Sequence, residues 1–154
     1  MRKLLATVAM AVAGTVGLAA PASAATGHQH FLIVQRNNQV GTVTATGPIT
    51  GSGRNFEAQN ANFGVFVFPG GTVEAVHPET SDHFSFNPKT CVGTVRFTGT
   101  YRLRHGTGIY SGVSGSGTYS GTGTFISQHT ATGCSQQTTS SVVVINADGT
   151  TTLP

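Results

Sequence analysis

A small all-β domain, folded as an antiparallel β-barrel of about eight strands with one disulfide, is the fold class this sequence predicts. Three observations predict it. Apolar and polar residues alternate at period two through the longer segments; beyond residue 24 Gly, Thr, Val and Phe dominate while Leu, Ala and charges are scarce; and the chain holds just two cysteines. Alternation places one face of a strand in a core, and Gly, Asn, Pro and Asp between the segments supply turns rather than helix.

The amino terminus has a separate character. Arg2 and Lys3 precede an apolar run over residues 4–20, and Pro21, Ala22, Ser23 and Ala24 follow. A charged start meets the anionic membrane face, the apolar run enters the translocation site, and small residues just before the cut fit the peptidase. The pattern predicts a signal peptide over residues 1–24, a single barrel domain over 25–154, and a secreted, extracellular product. A retained membrane helix is the competing reading, but a run of about 17 apolar residues is at the short limit for a span. Nothing later is long and apolar enough to cross a bilayer, so no membrane span is expected after cleavage.

Cleavage changes the charge argument. Two of the eight Lys and Arg leave with the leader and none of the five Asp and Glu, so the net charge of +3 falls to +1. That excludes the clustered basic excess a nucleic-acid partner requires. Taking 24 residues from 154 leaves 130, enough for one core and short for two. In an exported chain two thiols without a third partner most simply pair with each other, so Cys91 is expected to bond Cys134.

Taken in order, residues 31–35 read as a first strand, 36–38 as its turn and 40–46 as the second strand, closed by Gly47-Pro48. Residues 63–68 and 72–76 form a hairpin about Pro69-Gly70-Gly71, and 82–86 is a short strand stopped by Asn87-Pro88. The longest strand runs over 91–104, with Val95, Phe97, Tyr101 and Leu103 on its apolar face and Gly99 where a barrel wall bends. Over 116–126, Tyr119 and Phe125 share a face with Gly117, Gly121 and Gly123. Residues 142–145 are the last strand, before Asn146-Ala147-Asp148-Gly149 turns the chain outward. So many antiparallel strands in an open sheet would leave bare edges, which closure removes.

Residues 106–119 read GTGIYSGVSGSGTY, and Gly106, Gly108, Gly112, Gly115 and Gly117 within them resemble the Gly-Thr-Gly-x-Tyr/Phe-x-Gly-x-x-Gly-x-Gly signature of the allene oxide cyclase and dirigent type of β-barrel. The chain is most similar to uncharacterised secreted bacterial members of that superfamily, which also tend to carry a Cys before the long strand and a Gly-Cys near the end, as Cys91 and Gly133-Cys134 stand here. The resemblance covers roughly residues 80–135, the amino-terminal half following only in its strand pattern, and it departs at His105, where many relatives have Gly. It implies a structural role for the glycines, Gly106 and Gly108 supplying positive φ in a tight turn. It also implies a barrel cavity that guides a small reactive molecule, and a homo-oligomer, commonly a trimer. No catalytic residue of the family transfers to a numbered position.

The remaining motifs are weaker. The Gly-rich stretch lacks the following helix that a phosphate loop needs. His77, Glu79, Asp82 and His83 crowd into HPETSDH and could supply an acid/base pair or ligands; they read as a solvated loop, because a metal site needs converging ligands. Arg96, Arg102 and Arg104 share the polar face of the long strand and read as an outward surface. His28 and His30 fall on the same side of an extended chain, and only if cleavage fell after Ala25 could the free amine of Thr26, two amide nitrogens and the His28 imidazole form a square-planar set for Cu(II) or Ni(II). No metal and no cofactor is expected.

Two function classes follow. One is a non-catalytic barrel whose lumen, formed by Phe66, Phe68, Phe84, Phe86, Phe97, Tyr101 and Phe125, takes a small apolar molecule. The other is an isomerase or coupling guide of the cyclase and dirigent kind. A roomy cavity with convergent polar groups marks the second, and a filled lumen marks a structural role.

Overall fold

The computed structural model describes residues 24–37, 40–58 and 62–154. The expected signal peptide, Ala24 aside, lies outside the described residues, as does Asn38 of the first expected turn. The strands are β1 (Ala25–Arg36), β2 (Gly41–Thr46), β3 (Gly51–Glu57), β4 (Phe63–Phe68), β5 (Gly71–Val76), β6 (Glu79–Asn87), β7 (Val92–Arg104), β8 (Ser114–Thr130) and β9 (Gly133–Leu153). The one helical element among the described residues is a single 3-10 turn at Gly108–Tyr110.

All the pairings are antiparallel, in the order β5-β4-β3-β2-β1-β9-β8-β7-β6. The sheet closes where β5 returns to the upper end of β7, pairing Glu74 with Arg104, Ala75 with Leu103 and Val76 with Arg102. This makes an eight-stranded barrel. Arg104 bridges the seam to Glu74 at 2.6 Å. Below the seam β5 departs and β6 takes its place on β7, from Glu79 against Gly99 to Asn87 against Val92. The lower halves of β6, β7, β8 and β9 thereby project beyond the barrel as a curved apron, and Cys91–Cys134 ties its two hairpin tips together.

Alternation decides what faces in. In β2, Gly41, Val43 and Ala45 are buried while Thr42, Thr44 and Thr46 are exposed, and in β7 Tyr101 and Leu103 are buried between exposed Thr100, Arg102 and Arg104. One end of the barrel is packed shut by Ile49, Phe68, Leu103, Tyr110 and Val113. There the fully buried Gln29 accepts from the Ile49 amide at 2.9 Å and donates to the Ile49 and Thr46 carbonyls, pinning β1 to the β2–β3 turn.

The glycines of β7 and β8 make room for rings on the neighbouring strand. The Phe97 ring lies over Gly121, that of Tyr119 over Gly99, that of Phe125 over Gly93, and that of Tyr101 over the paired Gly117 and Gly149. An inward glycine covered by a cross-strand aromatic lets the wall curve without a void. The turn chemistry differs from the expectation: between β7 and β8 the residues at positive φ are His105 (φ 49°), Gly108 (φ 59°) and Gly112 (φ 79°). Gly106 is needed for space instead, since a Cβ there would strike the Tyr110 carbonyl. Histidine tolerates this conformation better than most side chains, and His105 reaches Glu74 at 3.2 Å.

Two further expectations are corrected. Residues 146–149 do not turn outward: β9 continues through them to Leu153, held by β1 on one side and β8 on the other. Their turn-like composition loses to hydrogen bonding along both edges. Residues 51–57 form a strand that the sequence did not announce, because its inward positions are Gly53, Asn55 and Glu57 and carry no apolar alternation.

Candidate functional site

The other end of the barrel is open. A cavity of about 310 Å³ runs in from it, with an apolar wall formed by Phe31, Ile33, Phe66, Ala75, Phe97, Val143, Ile145 and Ala147. Its polar members gather at the mouth, where Gln35, Glu57, Asn62, His77 and Glu79 end their strands or loops, while Tyr101 and Tyr119 stand on the wall. Inward alternation explains the placement: His77 continues the buried series Val73, Ala75 of β5, and Glu57 continues Asn55 of β3.

Glu57 and His77 meet across the mouth. His77 Nε2 lies 2.9 Å from Glu57 Oε2, with side chains 29% and 32% exposed, and Asn55 donates to Glu57 Oε1 at 2.7 Å. The Glu57 hydrogen bond and charge hold the His77 imidazole above its ordinary pKa against the opposing effect of burial, with a contribution from its own backbone carbonyl. Burial alone would raise the Glu57 carboxyl, but the hydrogen bonds from His77 and Asn55 together hold it below the usual range.

These shifts set a pH window. A raised His77 stabilises the fold fully below 6.5 and loses that contribution as pH rises through its folded pKa; a lowered Glu57 contributes fully above 4.5 and loses it as pH falls. The stability advantage of the native chain over a His77→Gln variant is therefore expected to be greatest between 4.5 and 6.5. Urea titrations of both proteins across pH check this, and an advantage that grew above neutral pH would contradict the pairing.

Tyr119 packs edge-on against His77 and Phe97. Its hydroxyl donates to the His77 carbonyl at 3.3 Å. Burial, then the charges of Glu79 and Glu57, raise its pKa. Tyr101 is 6% exposed and its hydroxyl has no hydrogen-bond partner among the described residues; burial, with the charge of Asp148, pushes its pKa up to about 12.

The sequence-predicted residues divide. Of the lumen set, Phe66, Phe97 and Tyr101 line the cavity and Phe68 is buried beneath it against Tyr110. Phe84, Phe86 and Phe125 lie outside the closed barrel on the apron, where Phe84 stacks on Phe125 and Phe84 and Phe86 are 53% and 41% exposed. Of the HPETSDH residues, His77 and Glu79 reach the mouth, whereas Asp82 and His83 are exposed on β6. His83 and Arg96 border a shallow depression on the outer surface, and Arg102 and Arg104 are exposed as well. His28 and His30 converge on Asp148, at 3.6 and 2.9 Å. Among the described residues no three His, Cys, Asp or Glu side chains gather as metal ligands.

Glu57 is the functional residue that sequence reasoning missed. Its one signal was scarcity, since the chain has five acidic residues in all. No protein-family model, curated protein or solved structure matches this chain.

Proposed function

We propose that this is a secreted barrel, of the allene oxide cyclase and dirigent kind, that binds a small, largely apolar molecule in its lumen without transforming it. The observation that carries the reading is the open cavity of about 310 Å³, apolar within and polar only toward its mouth. That is the small end of the range for ligand pockets, and an apolar body with a few placed polar groups is how such pockets bind and orient their ligands. A signal-like leader and the disulfide support an extracellular setting.

The isomerase or coupling-guide alternative needs a group that moves a proton or steers a reaction at the ligand. His77 is the natural candidate, and Glu57 on its Nε2 leaves Nδ1 as the nitrogen that could act. What favours binding is the interior beyond the mouth, whose wall is apolar and offers, among the described residues, no convergent set of polar groups around a substrate. Binding is therefore the function the geometry supports best. Exposed Phe84 and Phe86 favour self-association through the apron as an accompanying property, and native mass spectrometry of the secreted chain would show it as a trimer.

Prodan, a neutral dye that brightens in apolar surroundings, tests the lumen. Its emission is expected to rise and shift blue with the native protein, and to lose that response with Ala75→Phe, whose ring would occupy the cavity beside Phe66. A response that survives in a folded Ala75→Phe variant would place the dye elsewhere, on the apron for example, and end the lumen reading.

A further inference from the structure

We infer that the outer face of the apron carries a second binding site, a depression around Arg96 that takes an acidic saccharide. A uronate carboxylate of the ligand meets the guanidinium, and its hydroxyl groups meet the side chains beside it. The site stands apart from the lumen, on the opposite face of the same sheet.

Register builds it. His83, Arg96, Thr122 and Val144 stand opposite one another in one row across β6, β7, β8 and β9, and Ser81, Thr98, Ser120 and Asn146 stand in the next. These two rows line a depression of about 430 Å³ where the apron leaves the barrel, floored by the backbone at Phe97 and Gly121. That volume falls within the range of ligand sites. Four strands about 4.8 Å apart make the depression roughly 14 Å across. It is wider than a single oxyanion and suits an elongated ligand lying across the strands.

Charge sets the sign of the ligand. Arg96 and His83 are the ionisable side chains among the described residues of the depression, and no Asp or Glu lines it. Asp82 stands opposite Phe97 and so faces the lumen side of the sheet. Asp148, the next acid on the outward side of β9, is engaged by His28 and His30. Arg104 is held by Glu74, whereas Arg96 has no hydrogen bond or ion pair among the described residues. Its planar fork is therefore free to receive a carboxylate with two parallel hydrogen bonds.

The neutral neighbours set the rest of the ligand's chemistry. The hydroxyls of Ser81, Thr98, Ser120 and Thr122 and the amide of Asn146 are also without partners among the described residues. Each of these groups both donates and accepts. A bare anion only accepts, while every sugar hydroxyl does both, so a saccharide satisfies more of them. Val144 adds an apolar contact for the C–H face of a sugar ring.

Isothermal calorimetry on the full mature chain separates these terms with three probes. Tetramannuronate and mannotetraose differ in their carboxylates, and tetraglutamate carries the carboxylates without the sugar hydroxyls. Tetramannuronate is expected to bind tightest, with each of the others weaker by about tenfold or more. Arg96→Gln should weaken tetramannuronate by about tenfold and leave mannotetraose unchanged. Arg102→Gln, on the same strand face but outside the depression, should leave both sugars unchanged.

Tetraglutamate binding as tight as that of tetramannuronate would make the depression a general anion patch and overturn the saccharide assignment. Equal losses in folded Arg96→Gln and Arg102→Gln variants would mean diffuse surface attraction, and absence of heat with tetramannuronate would remove the site. Prodan in the lumen is expected to respond alike in both variants, so failure of this inference leaves the lumen reading standing.

Discussion

Replacing Cys91 and Cys134 together by Ser is expected to lower the unfolding free energy by about 4 kcal/mol and the melting temperature by roughly 15 °C. The bond closes a loop with a sequence separation of 43 residues, which removes much of the freedom of the unfolded chain. Its position says where the loss should fall. Cys91 sits in the turn between β6 and β7 and Cys134 at the start of β9, at the tips of the hairpins that form the apron. The apron has few buried apolar side chains of its own, whereas the barrel holds the aromatic core. Hydrogen exchange in the Ser variant should therefore quicken first over β6 and the lower halves of β7, β8 and β9, with the upper barrel protected until global unfolding. Uniform acceleration across both regions would mean that apron and barrel unfold as one unit.

Gly117→Ala carries the next largest expected effect, a loss of about 3 kcal/mol, at the upper end of what overpacking costs. A methyl group at Gly117 would meet the Asp148 carbonyl of the neighbouring strand and also lie 2.7 Å from the Tyr101 ring. Neither neighbour has room to yield: Asp148 is held in β9 between β8 and β1, and Tyr101 is packed edge-on against Phe31. Gly121→Ala supplies the contrast, because the nearest atoms there belong to the Phe97 ring alone. Phe97→Leu should rescue much of the Gly121→Ala loss, and no single side-chain truncation should rescue Gly117→Ala. Thermal denaturation of the double-mutant cycle reads both. Gly117→Ala tolerated at no cost would mean that β8 and β9 can separate locally, against the continuous pairing seen here.

Legibility in the sequence followed the range of the interaction. The apolar face of β7 and the Tyr119, Phe125 and glycine face of β8 could be read directly, because a strand's facing depends on its own residues two apart. The pairing of Cys91 with Cys134 was expected from their number and from the export that the leader pattern predicts, and the structure has the bond. β3 was hidden because its inward residues are small or polar, and β9 was cut short because NADG has the composition of a turn. The site was half visible. HPETSDH pointed to His77 and Glu79, but the partner of His77 is Glu57, two strands and 20 residues away, and no local pattern connects them.

What the sequence determined by itself is therefore the all-β character of the chain, the inward side of its principal strands and its cross-link, all consequences of residue type and short-range alternation. Closure through β5 and β7, the exit of Phe84 and Phe86 from the lumen onto the apron, and the meeting of Glu57 with His77 were decided only by the tertiary structure. The reason is that period-two patterning says which face a side chain takes but not which strand lies beside it. Register between distant strands sets that, and it is fixed only when the whole sheet closes on its core.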